Sequence, residues 1–197
     1  TDADDLVVEN SGHAGINILS PDANRSAIQF GHTSDNLQLQ IRHDGNTSLS
    51  QIISDDALTF NVGDGTERMR IDANGHITKP TQPAFHVRNS STQSNFSVNT
   101  THTIAFDTEI YDQNGDFASN TFTAPVTGKY HLTANMGWLN VDADSTYFYV
   151  ELTTSNRNYL TIQDPRGFDQ DPTYWHQNIN AIADMDANDT AIIRIRI

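Results

Sequence analysis

The stretch Phe122-Thr123-Ala124-Pro125-Val126-Thr127-Gly128-Lys129-Tyr130 joins two apolar-alternating runs, and its reading decides the fold. Proline has no amide hydrogen for a ladder, so Pro125 ends the run Asn120–Ala124. Gly128 is expected to supply the turn into the next run, Lys129–Asn140, with Tyr130 pointing inward. Further runs are read at Phe85–Arg88, His102–Phe106, Thr146–Thr154, Tyr159–Gln163, Tyr174–Met185 and Thr190–Ile197. Tyr147, Tyr149 and Glu151 alternate with Phe148, Val150 and Leu152, the period of two that marks a strand with one buried face. A chain segment of eight such strands carrying many aromatics builds its own sandwich core.

Outward from there, the earlier residues alternate too, but in shorter runs: Leu6–Glu9, Gly15–Leu19, Ala27–Phe30, Leu37–Arg42, Leu49–Ile53, Leu58–Val62 and Arg68–Ile71. They are separated by turn clusters such as His43-Asp44-Gly45-Asn46 and Gly63-Asp64-Gly65, so a β-meander is expected over residues 1–78. Phe30 and Phe60 are its only aromatics, and a monomer of this segment would bury little apolar area against the entropy of ordering it. Oligomerisation is the expected remedy. Pro80 and Pro83 interrupt the pattern, placing a linker at 79–83 and a second domain at 84–197.

Composition supports the all-β reading. The 197 residues include 21 Asp, 19 Asn and 22 Thr but 4 Glu and 2 Lys. Asp and Asn compete with helices by bonding the nearby backbone, whereas Glu and Lys normally carry exposed helix faces. A net charge of −14 with 11 basic residues excludes nucleic acid as a natural partner, since phosphate neutralisation needs clustered Lys and Arg. No run approaches the roughly 18 apolar residues of a membrane span, so membrane insertion is not expected. The absence of cysteine excludes disulfides, thiol nucleophiles and thiolate metal sites.

With Phe106-Asp107-Thr108-Glu109-Ile110-Tyr111-Asp112, Gly115 and Phe117 placed before it, the opening stretch resembles the globular head of complement component one, q subcomponent, with its tumour-necrosis-factor-type jelly roll. The resemblance spans roughly residues 84–197 and implies a homotrimer. Members of that family close the sandwich with a further strand holding a Ser-Gly step, so over these residues the fold is expected to be one strand short. Leu58–Asn61 followed by Gly65-Thr66-Glu67-Arg68-Met69-Arg70-Ile71-Asp72-Ala73-Asn74-Gly75 resembles a module of phage tail fibres. Together the two imply a trimeric virion fibre or spike tip, extracellular and joined to other fibre proteins, that attaches to a bacterial surface glycan or surface protein. The alternatives are a purely structural trimerisation module of a fibre and an adhesin on a bacterial cell surface.

For sites, Gly-x-Ser-x-Gly, His-Glu-x-x-His and phosphate-cradling motifs are absent, which argues for a non-enzyme. The surviving enzymatic reading is a polysaccharide depolymerase working with two carboxylates. Rings beside acidic groups suit sugars, because a pyranose stacks its C–H face on an aromatic while its hydroxyls bond carboxylates. Tyr147, Tyr149, Phe168, Tyr174 and Trp175 are the rings near the Asp164–Pro172 loop. Phe168, Asp169 and Asp171, with Asp142 and Asp144 from the preceding loop, are the expected receptor-binding residues. Asp142 and Asp144 are also candidate ligands of a Ca²⁺ ion, as the resembled family implies near its apex. Asp184-Met185-Asp186-Ala187-Asn188-Asp189 begins like a calcium loop, but Ile195 stands where a bidentate Glu is needed, so a hairpin turn is expected there.

Overall fold

The computed structural model describes residues 11, 12 and 15–197, Asn36 in its backbone alone; the run read at Leu6–Glu9 lies outside the described residues. Among them there are sixteen strands, one 3₁₀ turn and no α-helix. The chain divides into two compact units, Thr1–Lys79 and Pro80–Ile197.

The first unit holds two small antiparallel sheets. β1 (Arg25–His32), β2 (Asp35–Asp44) and β3 (Leu49–Ser54) form one; β4 (Leu58–Val62), β5 (Thr66–Ile71) and β6 (Ile77–Thr78) form the other. Register aligns Ile28, Ile41 and Ile52 in a row across the three strands of the first sheet. Phe30 lies two residues on, on the same face. All four side chains stay open to solvent, at 45, 48, 55 and 53% exposure. The turns follow from composition: Gly63 (φ 49°) and Asp64 (φ 45°) take the positive φ of the β4–β5 hairpin. Gly45 is held by contact instead, since a Cβ there would lie 1.9 Å from the carbonyl oxygen of Asp22. Gly15–Leu19 alternates as a strand does but joins no sheet among the described residues, with Ile16 at 61% and Leu19 at 87% exposure. Alternation alone does not supply a neighbouring strand to bond to.

The second unit is a jelly-roll β-sandwich. One layer runs in the order β10 (Phe117–Ala118), β11 (Thr121–Thr123), β16 (Thr190–Arg196), β13 (Phe148–Thr154), β14 (Asn158–Gln163), with β8 (Thr101–Thr103) paired to the far part of β16. Facing it are two separate antiparallel pairs, β7 (Phe85–Arg88) with β9 (Thr108–Asp112) and β12 (Gly128–Leu139) with β15 (Tyr174–Met185). The core between them is Ile104, Phe122, Leu132, Val150, Leu152, Ile179, Met185, Ile193 and Ile195, all buried. Phe85 of β7 stacks on Phe117 and Phe122 at 5.0 and 5.2 Å, and Trp138 of β12 meets Phe148 edge-on at 4.9 Å, so both pairs pack on the same opposing sheet.

The deciding stretch folds much as its residues dictate. Phe122 is 2% exposed, and Tyr130 packs on it at 5.3 Å while its hydroxyl donates to the Val126 carbonyl at 2.5 Å. Asn120 Oδ1 accepts the Phe106 amide at 2.6 Å, and Asp112 accepts the amides of Gly115, Asp116 and Phe117, which shapes the approach to β10. Gly128 departs from expectation. Its φ is not positive, and a Cβ would meet only Tyr130 Cε2 at an ordinary 3.8 Å, so the bend after Pro125 does not depend on a left-handed glycine. Two runs are also shorter than their alternation: His102–Phe106 keeps strand geometry only to Thr103, and Thr146–Thr154 begins at Phe148. Asp186–Asp189 is a tight turn, with the Asp189 amide on the Asp186 carbonyl at 3.0 Å and Asn188 at φ 72°. It carries the chain from one layer to the other rather than closing a hairpin, because β15 and β16 belong to different sheets.

Candidate functional site

β12 and β15 pair through twelve residues, ending at Trp138 opposite Trp175 and Leu139 opposite Tyr174. The loops that follow β12 and precede β15 therefore leave from adjacent points, although they lie about thirty residues apart in sequence. The ladder continues into them: the amide of Asn140 donates to the Thr173 carbonyl at 3.0 Å and that of Val141 to Pro172 at 3.1 Å. The Ala143 amide then donates to Asp171 Oδ1 at 2.8 Å, and the Asp144 amide to Asp142 Oδ1 at 2.8 Å. Asp142, Asp144, Asp169 and Asp171 are all exposed. The structure thus makes one apex of the two acidic loops.

Aromatic side chains support this apex. Phe168 is half-buried against Trp175, ring centroids 4.9 Å apart. One side of its ring is thus covered, whereas Tyr174 is 71% exposed. Tyr174 was among the rings noted from sequence, but its position at the very end of β15, beside the joined loops, marks it out only in the structure. Tyr147, just before β13, and Tyr149 of β13 stack elsewhere, ring centroids 6.4 Å apart, with the Arg196 guanidinium 5.9 Å over the Tyr147 ring and the Tyr149 hydroxyl 3.1 Å from Thr101. The indole nitrogens of Trp138 and Trp175 are buried without a hydrogen-bond partner among the described residues.

The 3₁₀ turn Pro165–Gly167 is clamped by Asp164, whose carboxylate takes two bonds from the Arg166 guanidinium, at 2.9 and 2.6 Å, and one from its amide at 3.1 Å. Those donors, the guanidinium foremost, hold the Asp164 carboxyl down at about 2. Among the described residues no three His, Asp or Glu side chains gather closely enough to hold a metal ion. Asp142 Oδ1 and Asp171 Oδ1 accept backbone amides.

A trough of about 1390 Å³ is lined by β7 and the segment after it, and by β12 along its whole length. It lies over the core, and its lining reaches Asn140, Val141, Asp142 and Ser145 of the loop that follows β12.

Among known proteins, no family model matches the chain, and no curated protein does. One solved structure that resembles it is the globular domain of zebrafish complement 1qA protein, with 19% sequence identity, a TM-score of 0.45, and coverage of 58% of this chain and 85% of that one.

Proposed function

We propose that the chain is a non-enzymatic attachment module, a homotrimeric tip of a virion fibre or spike that contacts a bacterial surface glycan through the apex of its jelly roll. The observation that carries this reading is the joining of the Asn140–Ser145 and Asp164–Thr173 loops by three hydrogen bonds, which places four exposed carboxylates beside an exposed tyrosine. Carboxylates accept bonds from sugar hydroxyls, and the Tyr174 ring offers the apolar face on which a pyranose stacks. Weak single contacts gain strength from threefold repetition. For the trimer, the support is the uncovered row Ile28, Ile41 and Ile52, a face that a second and third copy would bury.

The test is a glycan array probed with the full chain and with Tyr174→Ala/Asp169→Ala. Binding of a defined glycan set, lost in the double variant at unchanged mass and melting temperature, supports the reading. A trimer that binds no glycan favours a purely structural trimerisation module instead.

A further inference from the structure

We propose that the outward face of the six-stranded layer holds a binding site for an acidic sugar, one that carries a carboxylate. Register fixes what stands on that face. Thr101, Arg196, Tyr149 and Ile162 form one row across β8, β16, β13 and β14, and Thr103, Arg194, Glu151 and Leu160 form the next. Val150, Leu152, Ile193 and Ile195, at the positions between, fill the core, so these two rows turn away from it.

Two arginines in these rows lack the acid that an arginine normally takes. Arg25, Arg70, Arg157 and Arg166 each pair with a carboxylate. Arg194 and Arg196 have no such partner among the described residues, although Glu151, 5% exposed, stands directly across from Arg194. The Arg194 Nε atom is buried without a hydrogen-bond partner among the described residues. A buried donor left unbonded costs the desolvation of that group, and an acceptor supplied from outside recovers it. Arg196 lies with its guanidinium 5.9 Å over the Tyr147 ring. Stacking uses the flat face of a guanidinium and leaves its in-plane N–H donors for a ligand.

Charge and shape select the ligand. In a chain with 25 acidic and 11 basic residues, these rows hold two guanidiniums against one carboxylate, Glu151, and so a single net positive charge. A ligand carboxylate balances that charge, whereas a phosphate monoester, at about −1.5 to −2, leaves an excess. Guanidinium forks also donate two parallel bonds to a carboxylate. Beside the arginines the face is apolar: Tyr147 and Tyr149 stack, and Tyr147, Leu160 and Ile162 are 39, 49 and 61% exposed. A pyranose has an apolar C–H face to lay there, and Thr101 and Thr103, across from the arginines, offer hydroxyls to its own.

The experiment titrates the full chain with methyl β-D-glucuronide and with methyl β-D-glucoside, its neutral counterpart, and follows the Nε–H resonances of Arg194 and Arg196 by NMR. The glucuronide is expected to shift both resonances saturably and to bind at least tenfold more tightly than the glucoside. Arg196→Gln and Arg194→Lys should each weaken binding at least fivefold, with the circular-dichroism spectrum of the parent, since Lys keeps the charge without the fork. Equal binding of the two sugars, shifts confined to other residues, or binding indifferent to both arginine variants would overturn the proposal. So would hexanoate or glucose 6-phosphate binding as tightly as the glucuronide, which would assign the patch to an aliphatic acid or to a phosphate. An Arg194 resonance that moves on Glu151→Gln but not on addition of glucuronide would show a closed internal pair and count equally against it. The Tyr174→Ala/Asp169→Ala variant should bind the glucuronide as the parent does, so failure of the apex and failure of this site are read separately.

Discussion

Ala134 and Ile179 are direct cross-strand partners on β12 and β15, facing the same core, yet Ile179 is 4% exposed and Ala134 is half-buried. One strand of the pair is sealed and the other is not. Replacing Ile179 by Ala should thus cost about 2–4 kcal/mol, the range for deleting a packed aliphatic side chain. Ala134→Ser should cost less than about 1 kcal/mol, because its hydroxyl can reach water. Urea unfolding of the two variants measures both, and equal losses would contradict the burial difference.

Ile41→Asp should disperse the assembly. It sets a charge in the row Ile28–Ile41–Ile52, while the folded single chain leaves that side chain 48% exposed. Light scattering is expected to show threefold mass for the parent and for Gln29→Asp, on the opposite face of β1, and monomer mass for Ile41→Asp. A parent that is monomeric at micromolar concentration removes the trimer from the proposed function.

Gly45→Ala should destabilise the first unit by about 1–3 kcal/mol, as forced overpacking does. The methyl group would meet backbone, the carbonyl of Asp22 at 1.9 Å, and the Gly45 amide bond to Asn24 at 3.0 Å would have to stretch. Thermal unfolding monitored on a first-unit reporter would read the shift, and a variant as stable as the parent refutes the contact.

Asp171→Ala should uncouple the apex loops. The Ala143 amide loses its 2.8 Å acceptor, a bond worth about 0.5–1.5 kcal/mol. Faster exchange of the Ala143 amide is expected together with weaker glycan binding. Binding retained at full strength with a freed loop would place recognition outside the apex.

Acid should unfold the protein only at low pH. Arg166 lowers the Asp164 carboxyl to about 2, Ser90 lowers Asp107, and His76 together with nearby backbone amides lowers Asp72. A carboxyl depressed in the folded state makes its unfolded counterpart the better proton acceptor. These contributions are therefore complete above the ordinary carboxylate value of 3.8 and, for Asp164, vanish as the pH falls towards about 2. Melting temperatures should stay level from pH 8 to 5 and fall below pH 4. Asp164 is exposed, so Asp164→Asn should change that profile little.

Much of the strand map is legible because long, one-sided strands write their period plainly. Tyr174–Met185 shows the same bounds in sequence and structure, and Lys129–Asn140 is displaced by one residue. Short strands such as β10 carry too few residues for a period, and Gly15–Leu19 has the period without a partner strand among the described residues. The apex is a harder case. Its acidic loops are conspicuous by composition, but the bond from Ala143 to Asp171 spans 28 positions and exists only because β12 and β15 are neighbours. Likewise, Phe168 and Tyr174 look equivalent as rings beside Asp; the packing of Phe168 on Trp175 separates them.

The open side of β12 also implies a rhythm in time. In an antiparallel pair, alternate residues of a strand turn their amides towards its partner and the rest turn them away. Along Gly128–Leu139, amides bonded to β15 should survive in heavy water for as long as the pair holds, while those between them exchange quickly through the open edge. The strand would thus record a two-residue comb of slow and fast protons.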